Sequence, residues 1–218
     1  MLDENATITI MMLVIILGSI SLHEFAHAKS ADSAGDPTPR AMGRVTLNPL
    51  AHLDPMGTIM IVILVMSHIG IGWGKPVMVN PSRMENPKWD HFLSVLWGPT
   101  TNLLLAVGFA GLVRFVVPMV GNDAFWLFCM LGAQINIFLC LFNLLPIGPL
   151  DGHWLLGHLL PHPLGARYSH WSRTQGSFVL IGVIILDQLV LRREGHPGIL
   201  GTILFGPANR ILDFLVGA

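Results

Sequence analysis

The chain has 218 residues, of which 52% are hydrophobic and only 11% are charged. An ordinary soluble domain carries about 25% charged residues, so this composition predicts an integral membrane protein. The formal net charge is −1 and the sequence contains no Lys/Arg-rich tract, which argues against nucleic acid as a partner. The expected partners are the lipid bilayer and a substrate in or near it.

Apolar runs of the kind that cross a bilayer recur along the chain. They cover residues 8–27, 56–72, 92–117, 124–145, 177–191 and 199–216. We expect an all-α polytopic membrane protein with five or six membrane helices, folded as a single membrane-embedded domain over residues 1–218. Among the runs between the first helix and residue 151, the run 56–72 is the shortest. It also carries Ser67, His68 and three glycines, so it is the candidate for a re-entrant or tilted element.

The first apolar run ends in the motif His23-Glu24-Phe25-Ala26-His27. Residues four apart lie one above the other on an α-helix, so His23 and His27 can bind one metal ion. Glu24 then projects beside that ion, where it can take a proton from the attacking water. This is the HExxH arrangement of zinc hydrolases. Ionisable side chains within a membrane helix are costly and are therefore functional candidates.

A zinc ion in a hydrolytic site takes three protein ligands, so one more is needed. Asp151 is the strongest candidate, because it follows the end of an apolar run where two prolines and two glycines interrupt regular helix. Such irregular backbone at membrane depth is tolerated when it is buried in protein or lines a wet cavity. The alternative is that Asp151 caps the helix that follows it; the paired histidines favour the ligand role.

The other eight histidines are scattered, and most are declined as a second metal site. His52 and Asp54 could orient His23 or His27 through hydrogen bonds. For Asp54, capping of the next helix is the preferred interpretation. His153 follows closely enough to approach the metal, but Asp151 already fills that position.

Two short stretches, residues 44–47 and 77–79, are prone to form β-strands. We expect them to form a small β-sheet near the active site. The edge of such a sheet could pair with an unwound segment of a substrate by strand addition.

Several segments of the chain resemble the site-2 protease family of intramembrane zinc metalloproteases. They are SLHEFAH at 21–27, GDPTPR at 35–40, LNPLAHLDP at 47–55, GWGKPV at 72–77, GPTTN at 98–102 and NLLPIGPLDG at 143–152. Together these segments extend over most of the chain, and the combination is far more specific than HExxH alone. The resemblance is to the short branch of the family that has no PDZ domain and no C-terminal sensor domain.

The resemblance implies that His23, His27 and Asp151 bind one Zn²⁺ per chain and that Glu24 is the catalytic base. It also implies that Asn143 lies near the scissile carbonyl, where we expect it to donate a hydrogen bond to the oxyanion. Asn102 is the second choice for that donor. For Asn102 and Asn136, hydrogen bonding between helices is at least as good an interpretation.

These features together predict a zinc-dependent intramembrane endopeptidase that hydrolyses a peptide bond in or near a transmembrane segment of a membrane protein. Its expected location is a prokaryotic plasma membrane, with the site closer to the cytosol by family likeness. Two alternatives remain open at this point: a catalytically inactive membrane scaffold that contains zinc, and a metal-ion transporter. Glu24 argues against the scaffold because a purely structural zinc site does not need it.

Overall fold

The computed structural model describes residues 4–67, 72–188 and 198–217, and these residues form helices joined by irregular segments. The helices are α1 (Glu4–Ser33), α2 (Thr38–Ala41), α3 (Pro55–Ser67), α4 (Pro87–Gly111), α5 (Val117–Val120), α6 (Asp123–Asn143), α7 (Asp151–Leu159), α8 (Leu164–Leu186) and α9 (Ile199–Val216). A π-helical stretch, Leu112–Val116, connects α4 to α5. The predicted all-α class is confirmed.

Among the described residues, four helices are long and apolar enough to cross a membrane: α1, the continuous Pro87–Val120 element, α6 and α9. Helix α3 has 13 residues and therefore rises about 20 Å, which is short of the roughly 30 Å hydrocarbon core. The first half of α8 is polar, and the predicted run 177–191 continues past the described residues, as does the run 56–72 at His68. The predicted count of five or six membrane helices is not confirmed within the described part of the chain.

Helix α4 lies between α1 and α6, and small residues allow these helices to approach closely. One buried cluster combines residues of α4, α6 and α9, namely Ala106, Ala110, Ala133, Ile137, Ala208 and Leu212. A Cβ atom built on Gly132 of α6 would lie 2.6 Å from the ring of Phe109, so that crossing needs glycine. Membrane helices pack through such small residues because lipid gives them no hydrophobic driving force for association.

The predicted β-sheet is not formed in the described ranges, where the one bridge is an isolated antiparallel pair between Leu53 and Gly74. Residue 44 is irregular and residues 45–47 form bends rather than a strand. The buried Arg44 side chain explains this, because its guanidinium donates hydrogen bonds to the carbonyls of Ala51 and Lys75. Residues 77–79 have no regular secondary structure and follow Pro76, which has no N–H to donate to a neighbouring strand.

Two buried charged side chains hold the segment of residues 75–80 at its ends. Arg44 bonds to the carbonyl of Lys75, and the Asp36 carboxylate accepts the Asn80 N–H at 2.6 Å. Asp36 is fully buried and also accepts from the N–H of Thr38 at 3.0 Å and from its hydroxyl at 2.6 Å. The connection after α1 thus fixes the position of residues 75–80.

We expect the substitution Asp36→Asn to destabilise the protein by about 1–3 kcal/mol, the usual cost of unpairing a buried hydrogen-bonded group. Burial alone would raise the pKa of Asp36, but the hydrogen bonds from Thr38 and Asn80 and the charge of Arg83 lower it below its ordinary value of 3.8. The stabilisation is therefore complete above pH 3.8 and is lost as the pH falls through the lowered pKa. Unfolding of both proteins in detergent, followed against pH, measures this.

The difference between wild type and Asp36→Asn should be constant near neutral pH and should shrink in the acid range. A difference that stays the same down to the acid limit of the measurement would contradict the assigned role of the Asp36 charge.

Candidate metal centre

Three side chains from two distant parts of the chain meet between α1, α4 and α7. The Nε2 atoms of His23 and His27 lie 3.0 Å apart. The Oδ2 atom of Asp151 lies 3.2 Å from the first of these nitrogens and 3.4 Å from the second. Each residue thus offers one ligand atom, and together they form the one group of three or more candidate ligands found among the residues described.

Helix α4 fixes the protonation pattern of both rings. The Nδ1 atom of His27 lies 2.8 Å from the carbonyl oxygen of Ser94, which can only accept, so this nitrogen carries the proton. The Nδ1 atom of His23 lies 2.6 Å from Oδ1 of Asn102, and it donates in the same way. In the neutral rings both Nε2 atoms therefore present lone pairs. Hydrogen bonds of this kind are the usual means of orienting metal-binding histidines.

The Asp151 carboxylate completes an arrangement that suits a cation. Its Oδ2 atom is buried and has no hydrogen-bond partner, although two ring nitrogens lie within 3.4 Å. With both rings neutral, three lone-pair donors therefore face one another. Two imidazoles and one carboxylate are a ligand set that zinc takes in hydrolytic enzymes, so the residues fit that ion.

Asp151 is the first residue of α7, whose N-cap residue is Leu150. The structure therefore does not place Asp151 at the capping position that the alternative prediction required. A carboxylate binds a metal ion in its ionised form, and the buried position of Oδ2 beside two ring nitrogens suits that role.

Helix α8 supports the irregular segment that delivers Asp151. The hydroxyl of the buried Ser172 accepts the Gly148 N–H at 2.8 Å, and the hydroxyl of Tyr168 donates to the Pro146 carbonyl at 2.7 Å. At Gly152 a Cβ atom would collide with the carbonyl of Leu145, so the start of α7 can approach the end of α6 only with glycine there. The prolines and glycines noticed in the sequence thus shape a buried turn.

Glu24 projects next to the three candidate ligands and has one hydrogen bond to the backbone. Its Oε2 atom accepts the Val77 N–H at 3.1 Å. Because residues 75–80 are held at both ends by Arg44 and Asp36, this bond fixes the carboxylate against a rigid segment.

His23, Glu24, His27 and Asp151 all line one cavity of about 1460 Å³, whose walls are largely apolar. Asn143 also lines it and donates one amide N–H to the Leu139 carbonyl at 2.9 Å. Asn102, the second choice for an oxyanion donor, is fully buried and connects His23 to Asn136. The interpretation of Asn102 and Asn136 as residues that bond helices together is therefore confirmed.

The residues that orient the histidines are not those suggested from sequence. His52 bonds to the Thr46 carbonyl at 2.8 Å, and Asp54 accepts the Gly57 N–H at the start of α3 at 2.8 Å. Asp54 is thus a helix cap, and the orienting role belongs to Asn102 and to the Ser94 carbonyl. The GPTTN motif pointed to Asn102. The Ser94 partner is a backbone carbonyl, which every residue type has, so the sequence could not identify it.

Comparisons with known proteins agree with this geometry. The model of peptidase family M50 matches residues 111–183, which include Asn143 and Asp151. The chain is 36% identical over 183 residues to "Putative zinc metalloprotease YwhC" of Bacillus subtilis, with 80% of each chain covered. It is 34% identical over 176 residues to "Putative zinc metalloprotease Rip2" of Mycolicibacterium smegmatis, covering 79% of this chain and 66% of that one. No solved structure matches.

The chain therefore belongs to peptidase family M50, the site-2 protease family, as the sequence motifs indicated. It is a zinc metalloprotease with membrane helices.

Gly98 of α4 packs against the two rings, and this contact can be tested. A Cβ atom at residue 98 would lie 2.7 Å from Cε1 of His23 and would also collide with His27. We expect Gly98→Ala to reduce the zinc content of reloaded protein at least tenfold and to lower the unfolding temperature, because the rings must shift. Elemental analysis after zinc loading and thermal unfolding in detergent measure both effects.

The matched control is Gly108→Ala in the same helix, where a Cβ atom would meet nothing within 4 Å. Replacing an exposed helical glycine by alanine stabilises by roughly 0.5–1 kcal/mol, so this variant should keep its zinc and its stability. Equal behaviour of the two variants would show that Gly98 does not constrain the rings.

Proposed function

We propose that this protein is a zinc-dependent intramembrane endopeptidase that hydrolyses a peptide bond in or near a transmembrane segment of a membrane protein. The observation that carries the proposal is the unpartnered Oδ2 atom of Asp151, which faces two lone-pair nitrogens in a cavity that also holds Glu24. All four helices that are long and apolar enough to cross a membrane contribute residues to the wall of this cavity, which supports a substrate in the bilayer. The bacterial relatives support a bacterial plasma membrane as its location.

In this proposal, His23, His27 and Asp151 hold one Zn²⁺ per chain. When bound, zinc supplies a Lewis acid that can lower the pKa of a water molecule to about 7. The Glu24 carboxylate accepts a proton from the attacking water and then delivers it to the amine of the leaving peptide, as a general base that becomes a general acid.

Asn143 is the proposed donor to the carbonyl oxygen of the scissile bond. It lines the cavity from the last turn of α6, and one of its two amide hydrogens is used by the Leu139 carbonyl. The second hydrogen is free to stabilise negative charge that develops on that oxygen, which is the role of an oxyanion hole.

The substrate segment must be unwound before cleavage, because the amides of a helix are engaged in its own hydrogen bonds. Residues 77–79 line the cavity and have no strand partner within the described ranges. We propose that an unwound substrate pairs with this backbone by strand addition. The template is thus a single fixed segment rather than a preformed sheet.

Glu24→Gln should remove cleavage while leaving zinc bound, because the amide cannot accept the proton. The expected loss is at least 10²-fold, the lower range for a general base. Cleavage of a transmembrane peptide by purified protein, together with elemental analysis for zinc, gives both readouts.

Glu85→Gln is the matched control, since it makes the same chemical change at an exposed position; its activity should equal that of wild type. A chelator should abolish wild-type cleavage, and added zinc should restore it. Full activity of Glu24→Gln would refute the assignment of the base.

Val77→Pro should lower cleavage by about 10- to 100-fold without loss of zinc. Proline removes the N–H that bonds to Glu24, and a hydrogen bond to a charged group is worth about 1.5–3 kcal/mol. Val77→Thr keeps that N–H and nearly the same side-chain shape, so it should cleave close to the wild-type rate. Wild-type cleavage by Val77→Pro would exclude a contribution from this backbone edge.

A further inference from the structure

A second pair of imidazoles meets in the same cavity. The two rings belong to α4 and α7, and neither is one of the three candidate ligands. The Nδ1 atom of His91 in α4 lies 3.1 Å from the Nε2 atom of His158 in α7. Both residues line the cavity, and His91 is buried. The two are 67 residues apart in the chain, so no local motif in the sequence predicts their contact.

The protonation of His158 is fixed by its own helix. Its Nδ1 atom lies 2.6 Å from the carbonyl oxygen of Trp154, which can only accept, so Nδ1 carries the proton. The Nε2 atom of the neutral ring therefore presents a lone pair toward His91. His23 and His27 are held in the same way, each with Nδ1 bonded to an oxygen and Nε2 turned toward its neighbour.

The spacing of the two nitrogens also suits a shared metal ion. Two nitrogens at about 2.0–2.1 Å from one ion, with an angle between a right angle and the tetrahedral value, lie roughly 2.9–3.4 Å apart. The separation of 3.1 Å falls within this range and nearly equals the 3.0 Å between Nε2 of His23 and Nε2 of His27. Neither His91 nor His158 forms an ion pair with a carboxylate of the described chain.

We propose that His91 and His158 form a second binding site for a transition-metal ion. Imidazole nitrogens suit Zn²⁺, Ni²⁺ and Cu²⁺, and water from the cavity would fill the remaining positions. Without a bound ion, the Nδ1–H group of His91 donates a hydrogen bond to Nε2 of His158. When an ion binds, that proton moves to Nε2 of His91, so both rings remain neutral and each gives one lone pair. With two protein ligands instead of three, this site binds more weakly than the first.

An ion at this site would connect α4 to α7, the helices that assemble the first centre. His91 lies one turn before Ser94, whose carbonyl orients His27, and His158 lies two turns after Asp151 in α7. Occupancy of the second site would therefore hold Asp151 against the histidines more firmly. The inference requires only that the rings bind an ion, and it does not depend on peptide cleavage.

The rival interpretation is a plain hydrogen bond from His91 to His158. Counting ions distinguishes the two. The purified full chain is equilibrated with micromolar Zn²⁺, washed at a defined free concentration and measured by elemental analysis, and Cu²⁺ titration followed by electron paramagnetic resonance reports nitrogen ligands. Wild type should bind two ions, the second more weakly than the first.

His91→Gln and His158→Gln should each bind one ion, with at least a tenfold loss of affinity at the second site only. Gln can still form a hydrogen bond, so the pair of helices stays linked in these variants. His170→Gln, a change at an exposed histidine of α8, should still bind two. In the other direction, His23→Ala should lose the first ion and keep the weak one.

Thermal unfolding gives a second measurement that does not rely on counting. Zinc beyond saturation of the first site should raise the unfolding temperature of wild type further, as expected for a ligand of the native state, but not that of His158→Gln. A stoichiometry of one ion in wild type, or a second ion that persists in both His91→Gln and His158→Gln, would overturn the proposal.

Discussion

The burial of one carboxylate against two imidazoles is the interaction on which the rest of this fold depends. An ionised group away from water costs many kcal/mol unless charge and hydrogen bonds compensate it. Here Oδ2 of Asp151 lies within 3.4 Å of the Nε2 atoms of His23 and His27, which present lone pairs when both rings are neutral. A cation held between them, as in the proposed function, would resolve this conflict and would couple metal binding to the position of Asp151 beside α1.

Helix α4 shows how the neighbouring sequence adapts to this requirement. Its Gly98 leaves room for the rings of His23 and His27. The Nδ1–H groups of these rings donate hydrogen bonds to Asn102 and to the Ser94 carbonyl. Asn102 in turn bonds to Asn136 of α6, which bonds to its own helix at the Gly132 carbonyl. Every member of this buried chain is satisfied, and such a complete network specifies one arrangement of helices because any displacement would leave a polar group unpaired.

The sequence predicted the features that depend on local spacing. The i, i+4 pair His23 and His27 lies on one face of α1, and the proline- and glycine-rich segment after α6 brings Asp151 to them. The sequence could not identify what orients the rings, since the Ser94 partner is a backbone carbonyl and His52, closer in sequence, is used elsewhere. The predicted sheet failed for a similar reason: Arg44 bonds to backbone carbonyls from within a β-prone stretch, and such tertiary contacts override propensity.

The hydrogen bonds that fix residues 75–80 also connect the proposed substrate-binding segment to the proposed catalytic base. Residues 75–80 are fixed by Arg44 and Asp36, two buried charges of the α1–α3 connection, and Val77 within them holds Glu24. A substrate strand laid along this segment would therefore be positioned relative to the base through one short, rigid stretch of backbone. Because a catalytic base must lie within hydrogen-bond reach of the proton that it takes, sharing one support removes the need to align two independently moving parts. Residues 77–79 have no strand partner within the described ranges, and a permanent partner strand would occupy the place that the proposal gives to the substrate.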